Sequence, residues 1–222
     1  MSGSPASRLA RMFEMISRAI EDERDHLSEL DGAIGDGDHG ITMSIGFVAV
    51  HGALSKLDLY RSSLSDVMST AASAFLDAVG ASSGPLYSTG FRRAAQALAA
   101  HAVLDTKACA DIIDGISRGI AERGKGQRGD KTMLDVWLPA ADAAGNAVAR
   151  NKTADAFWAD VIASADNGAA ATRSMIATKG RAAKLRERSL GHMDPGAASA
   201  AVMIRAMAEA IKLRDDAVGR NG

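Results

Sequence analysis

A chain of 222 residues with 27 acidic and 26 basic side chains, a net charge of -1, 47% hydrophobic and 24% charged residues has the composition of an ordinary globular protein. That balance excludes the basic footprint of a nucleic-acid binder, and the absence of any long apolar run excludes a bilayer-spanning helix. The single cysteine, Cys109, excludes an internal disulfide framework or a thiolate cluster and reads as a small buried apolar residue. The first residues, "MSGSPASRLARMFEM", lack the apolar stretch of a secretory signal, so a cytoplasmic protein is expected. Nothing in composition marks a join, and residues 1–222 read as one domain.

Strand signals need β-branched or aromatic runs, but only 4% of the chain is aromatic. Its apolar residues are mainly Ala, Leu, Met and Ile at three-and-four spacing, which predicts an all-α protein. In chain order, helices are expected near 5–27, 39–55, 63–79, 84–102, 106–122, 131–150, 153–178 and 195–217. Gly80 closes the third, Pro85 falls in the first turn of the fourth, Pro139 kinks the sixth and Pro195 opens the last. Short connections favour antiparallel neighbours, and no fixed-period repeat points to a solenoid.

Four connections concentrate glycine with polar side chains: "GAIGDGDHG" at 32–40, "GASSGPLY" at 80–87, "GKGQRGDKTM" at 124–133 and "KGRAAKLRERSLGHMDPG" at 179–196. Each joins an odd-numbered helix to the next even-numbered one. In an up-and-down bundle such connections all fall at one end, which predicts a polar rim around one mouth.

The first of these holds Asp36 and Asp38 shortly after Asp31. Three like charges with no basic neighbour in sequence repel one another unless a cation sits between them, and short flexible oxygen-bearing loops suit Mg²⁺. A helix cap beside a glycine turn accounts for one aspartate, not three. An EF-hand is excluded, because the twelfth position from Asp36 is Phe47 instead of Glu. His39 is open between a hydrogen bond to a phosphate and one to loop carbonyls, while His26, His51 and His101 read as surface or core residues. Ser82 and Ser83, at the start of a helix, offer hydroxyls and free amides to an anion, or a plain N-cap. "GIAERGKG", 119–126, nearly spells a phosphate-binding P-loop but carries Gly126 where the metal-ligating hydroxyl belongs, and it follows a helix instead of a strand. Asp130 is expected to cap the sixth helix. The basic run Lys179, Arg181, Lys184, Arg186 and Arg188 reads as a solvated face or, opposite a metal-phosphate site, as a source of a phosphate clamp.

Taken in order, "GDGDHG" with its upstream "LD", "GASSGPLY", "GDKTMLDVW" and "KGRA…ERSLGHMDPGA" resemble the L subunit of bacterial dihydroxyacetone kinase over nearly the whole chain. The resemblance implies an eight-helix antiparallel up-and-down barrel with ADP or ATP held at one end. It implies that Asp31, Asp36 and Asp38 carry two Mg²⁺ ions and with them the catalytic role. It further implies nucleotide contacts from His39, Gly40, Ile41, Thr42, Ser82, Ser83, Gly124, Met133, Arg181, Asp194, Pro195 and Gly196. The implied activity is phosphoryl transfer to dihydroxyacetone or a related keto-sugar held on a separate K-type subunit. The phosphate comes either from exchanging ATP or from bound ADP rephosphorylated by an M-type protein of the phosphotransferase system. A second reading is a module that docks on a transcriptional regulator and signals the state of its nucleotide.

Overall fold

The first helix illustrates how a short apolar repeat becomes one wall of the core. Ser4 accepts the Ser7 amide at 3.1 Å and Pro5 occupies the first turn, so α1 runs Pro5–Asp22 and buries Leu9, Met12, Phe13, Ile16 and Ile20 along one face. The computed structural model describes residues 3–80 and 82–219, with side chains as far as Ile211; Ala81 of the second glycine-rich motif lies outside the described residues. Among these residues α1 is followed by α2 (Arg24–Ile34), α3 (His39–Leu54), α4 (Leu64–Ala78), α5 (Ser83–Ala97), α6 (Thr106–Gly124), α7 (Leu134–Ala149), α8 (Ala154–Ala171) and α9 (Pro195–Gly219), with no strand. Local chemistry sets the starts. Ser63 and Asp66 form a reciprocal capping box on α4, Asp105 accepts the Ala108 amide at 2.8 Å ahead of α6, and Thr153 does the same for Ala156 ahead of α8.

Eight of these helices close a ring: α1 lies on α3, α3 on α4, each then on its successor as far as α9, and α9 returns to α1. This is the expected eight-helix antiparallel barrel. The ninth, α2, sits outside the ring against α3, α9 and a 3₁₀ segment, Arg181–Ser189. Six of the aromatic residues, Phe13, Phe47, Phe75, Tyr87, Phe91 and Trp137, form one buried cluster, with ring centroids 5.2 Å apart for Phe47 and Phe75 and 5.5 Å for Phe75 and Tyr87. Cys109 is buried, and burial lifts its thiol to about 12. No described helix is long and apolar enough to cross a membrane.

Four of the expected helices differ in their boundaries from the sequence reading. The expected helix 5–27 breaks at Glu23, and α2 carries the chain on through Asp31 and Gly32 to Ile34. The reason is an apolar stripe hidden among the glycines: Leu27 and Ile34 are buried, and Leu30 packs on the core. The sixth predicted helix begins at Leu134 instead of 131, because Lys131 adopts a left-handed φ of 60° that ends any helical run there. Pro139 lies within α7 without ending it. The helices expected over 84–102 and 153–178 stop at Ala97 and Ala171 and finish in 3₁₀ turns, Leu98–Ala100 and Thr172–Ser174.

Candidate functional site

Between α2 and α3 the connection is only Gly35–Asp38, with Gly37 at a φ of 80° reversing the chain. Asp31, on the last turn of α2, accepts the amides of Asp38 at 3.0 Å and His39 at 3.2 Å. The capping duty considered for Asp38 or a neighbour thus falls to Asp31, across the turn. Asp31, Asp36 and Asp38 each bring one carboxylate oxygen within 4.8 Å of the other two. No nearby residue in sequence offsets this charge, but the fold brings one: the Arg181 guanidinium pairs with Asp36 and lies 3.7 Å from Asp38. Two of the three carboxylates therefore already hold a cationic group. Three hard oxygen donors held this close at one helix end and the turn after it fit a divalent ion such as Mg²⁺.

All four glycine-rich connections reach one cavity of about 500 Å³. Asp31, Asp36, Asp38, His39 and Thr42 line it from the first, Ser82 and Ser83 from the second, Gly124 and Met133 from the third, and Arg181, Asp194, Pro195 and Gly196 from the fourth. The single rim inferred from loop parity is present. Leu86, Ile120, Met133 and Leu134 add an apolar lining. Ser82 stands at the N-cap position of α5 but makes no capping bond.

Two residues named from the sequence do not line the cavity. Gly40 is the point where α3 crosses α2: a Cβ there would stand 1.9 Å from the Arg24 carbonyl oxygen. Ile41 is 51% exposed. What both can still offer a ligand is a backbone N–H, since the first amides of a helix have no partner within it. His39 is half-buried, and its Nε2 lies 2.9 Å from Ser199 Oγ on α9. Burial holds the imidazole below its ordinary 6.5, although Asp31 and Asp38 oppose that. Asp130 does not cap α7, which starts at Leu134. Its carboxylate accepts the Gln127 amide at 2.8 Å and the Thr178 hydroxyl at 2.5 Å, joining the third connection to the fourth. Lys179 lines the cavity as Arg181 does, whereas Lys184, Arg186 and Arg188 are exposed, the solvated face that such a run usually makes.

Sequence reasoning missed Asp135 and Lys131. Asp135, on the first turn of α7, accepts the amides of Gly129 at 2.5 Å and Thr132 at 2.9 Å and so holds the third connection in shape. An Asp following a glycine-rich stretch by a few residues is the only local signal for that. Lys131 is 1% exposed, and its ammonium donates to the carbonyls of Thr172, Ser189 and His192, each at 2.7 Å, and of Met175 at 3.2 Å. A lysine in a polar, glycine-rich loop gives no sign in sequence that it is buried. Asp194 accepts the Ala197 amide at 2.7 Å and so caps α9. Burial raises its carboxyl from 3.8 to about 7, against the pull of that amide and of Lys131.

Comparison with known proteins shows the family. The DAK2 domain matches residues 33–209. The chain is 38% identical over 184 residues, 83% of its own length and 86% of the other's, to a protein of Listeria innocua named PEP-dependent dihydroxyacetone kinase 1, ADP-binding subunit DhaL. It is 36% identical over 173 residues, 78% of this chain and 81% of the relative, to the PEP-dependent dihydroxyacetone kinase, ADP-binding subunit DhaL, of Escherichia coli. Among solved structures it resembles the dihydroxyacetone kinase of C. freundii in complex with AMP-PNP and Mg²⁺, with a TM-score of 0.69 and 27% identity. That match covers 94% of this chain but only 35% of the other, so the chain spans about a third of that kinase.

Proposed function

The chain belongs to the DAK2 domain family, and from that premise we propose that it is the nucleotide-bearing, L-type subunit of a dihydroxyacetone kinase, working as one domain over 1–222. The observation that carries this reading is the convergence of four connections on one cavity lined by three carboxylates and by several apolar side chains. A nucleoside diphosphate needs both: a cation-bearing end for its phosphates and an apolar slot for its base.

In this reading Asp31, Asp36 and Asp38 hold two Mg²⁺ ions, which neutralise phosphate charge and so lower the cost of phosphoryl transfer. The remaining work falls to the chain's own groups. The free amides of Gly40 and Ile41 at the start of α3, beside the His39 side chain, and those at the start of α5, point partial positive charge at phosphate oxygens. Thr42, Ser82 and Ser83 add hydroxyl donors. Arg181, which pairs with Asp36 and Asp38 here, would supply a forked guanidinium to the same oxygens where those carboxylates hold a cation instead. Met133 and its apolar neighbours, with Gly124 and the turn Asp194-Pro195-Gly196, enclose the base and ribose and exclude water. No side chain is needed as a covalent nucleophile, because positioning and electrostatics carry most of such a transfer.

The acceptor, dihydroxyacetone or a similar keto-sugar, is presented by a separate K-type subunit. The PEP-dependent relatives favour a relay in which bound ADP is recharged in place by an M-type phosphodonor. Native mass spectrometry of the purified protein tests the relay, with co-purified ADP expected. Mixing the chain with an active K-type subunit, Mg²⁺ and either ATP or a phosphoenolpyruvate relay tests the activity. Absence of triose phosphate under both regimes would refute the proposal.

A further inference from the structure

The segment between α8 and α9 leaves the barrel, carries Lys179 and Arg181 to the cavity, and returns to Asp194. Its outgoing strand of chain passes Thr172 and Met175, and its returning strand passes Ser189 and His192. Those are the four residues whose carbonyls receive the Lys131 ammonium. A single buried cation thus clasps the neck of the excursion whose tip bears Arg181. We propose that Lys131 is a positioning residue that closes this neck and thereby sets the affinity of the site for nucleotide.

Three features support a dedicated clasp over an incidental contact. Four converging carbonyls exceed the three N–H donors of an ammonium, so the oxygens form a cage round the charge. Lys131 holds a φ of 60°, a conformation that favours glycine, and persists there as the surrounding bonds dictate. Finally, Lys131 itself lines the cavity beside Thr132 and Met133, so the third connection and the fourth are tied together at the site. Neutral bonds also cross the neck: the Gly191 amide to the Arg173 carbonyl at 2.8 Å, the Ala177 amide to Ser189 Oγ at 3.0 Å, and the Asp194 amide to Thr172 Oγ1 at 3.0 Å. These leave the barrel intact when the ammonium is removed, while the neck opens part of the time.

The inference rests on the nucleotide reading, and its test separates the two. Lys131→Ala and Lys131→Met would be compared with the unaltered protein by trypsin cleavage within 176–188 and by calorimetric titration with MgADP. Cleavage there is expected to accelerate in both variants. If the neck is closed about a tenth of the time, the dissociation constant for MgADP rises about tenfold. Propylammonium, which replaces the deleted part of the lysine in the Ala variant, is expected to restore protection and affinity; tetramethylammonium, with the same charge and no N–H, is not. Unchanged cleavage and affinity in both variants would overturn the proposal, as would equal rescue by the two cations. Should a variant fail to fold, propylammonium must restore its folding, and failure to do so counts against the clasp. Should the unaltered protein bind no MgADP, the nucleotide reading fails, while the cleavage and rescue results still decide the role of Lys131.

Discussion

Asp194 gives a pH dependence that can be worked out from its surroundings. Its carboxyl titrates near 3.8 in an unfolded chain and near 7 in the folded one, so the native state holds the proton more tightly. The stability this group contributes is therefore fully present below about pH 3.8 and is lost as pH rises through 7. A gap of about three pH units, at ~1.4 kcal/mol each, sets a ceiling of about 4 kcal/mol. The carboxyl lines an open cavity, so solvent screening reduces that, and roughly 1–2 kcal/mol is the expected size. Asp194→Asn removes the titration but keeps an oxygen to cap α9 through the Ala197 amide. Urea unfolding of nucleotide-free protein at several pH values between 4 and 8 is the assay. The stability of the unaltered protein minus that of the variant should fall by about 1–2 kcal/mol across that range. A difference that stays flat, or rises with pH, would refute the reasoning, because it would place the carboxyl in an environment that does not penalise its charge.

Two further outcomes test the cavity itself. Asp36→Ala breaks the carboxylate trio and the pair with Arg181; MgADP at about a hundred times its dissociation constant stabilises a single-site protein by ~2.7 kcal/mol, and thermal melts should show that gain lost in the variant while the unliganded protein melts within a few degrees of the original. Replacing Ser82 and Ser83 together by Ala removes two hydroxyls from the start of α5, where Ser82 caps nothing. MgADP affinity should drop about tenfold by titration, on the scale of one or two lost hydrogen bonds of ~1 kcal/mol each, with unliganded stability changed by no more than about 0.5 kcal/mol.

Much of this was legible before the fold was in hand. Helical periodicity depends on neighbours three and four residues apart, so α1, α4, α6 and α9 could be read directly from their apolar spacing and caps. The gathering of four connections at one mouth followed from loop parity alone, since alternate connections in an up-and-down bundle share an end. The acidic trio, the serines before α5 and the turn at Asp194 were visible because glycine and oxygen-bearing residues cluster there in the chain. The extension of α2 to Ile34 was not, because glycines masked a stripe made by Leu27, Leu30 and Ile34.

Other features exist only in three dimensions. Arg181 meets Asp36 and Asp38 from far along the chain, and Lys131 lies buried because carbonyls from two distant stretches converge on it. Gly40 turned out to be a point of contact between helices instead of a lining residue. Sequence determines what lies within a few turns of itself, because local bonds and periodic burial act over that range. Which charges meet, and which become enclosed, depends on loops brought together by closure of the ring, and only the tertiary structure decides that.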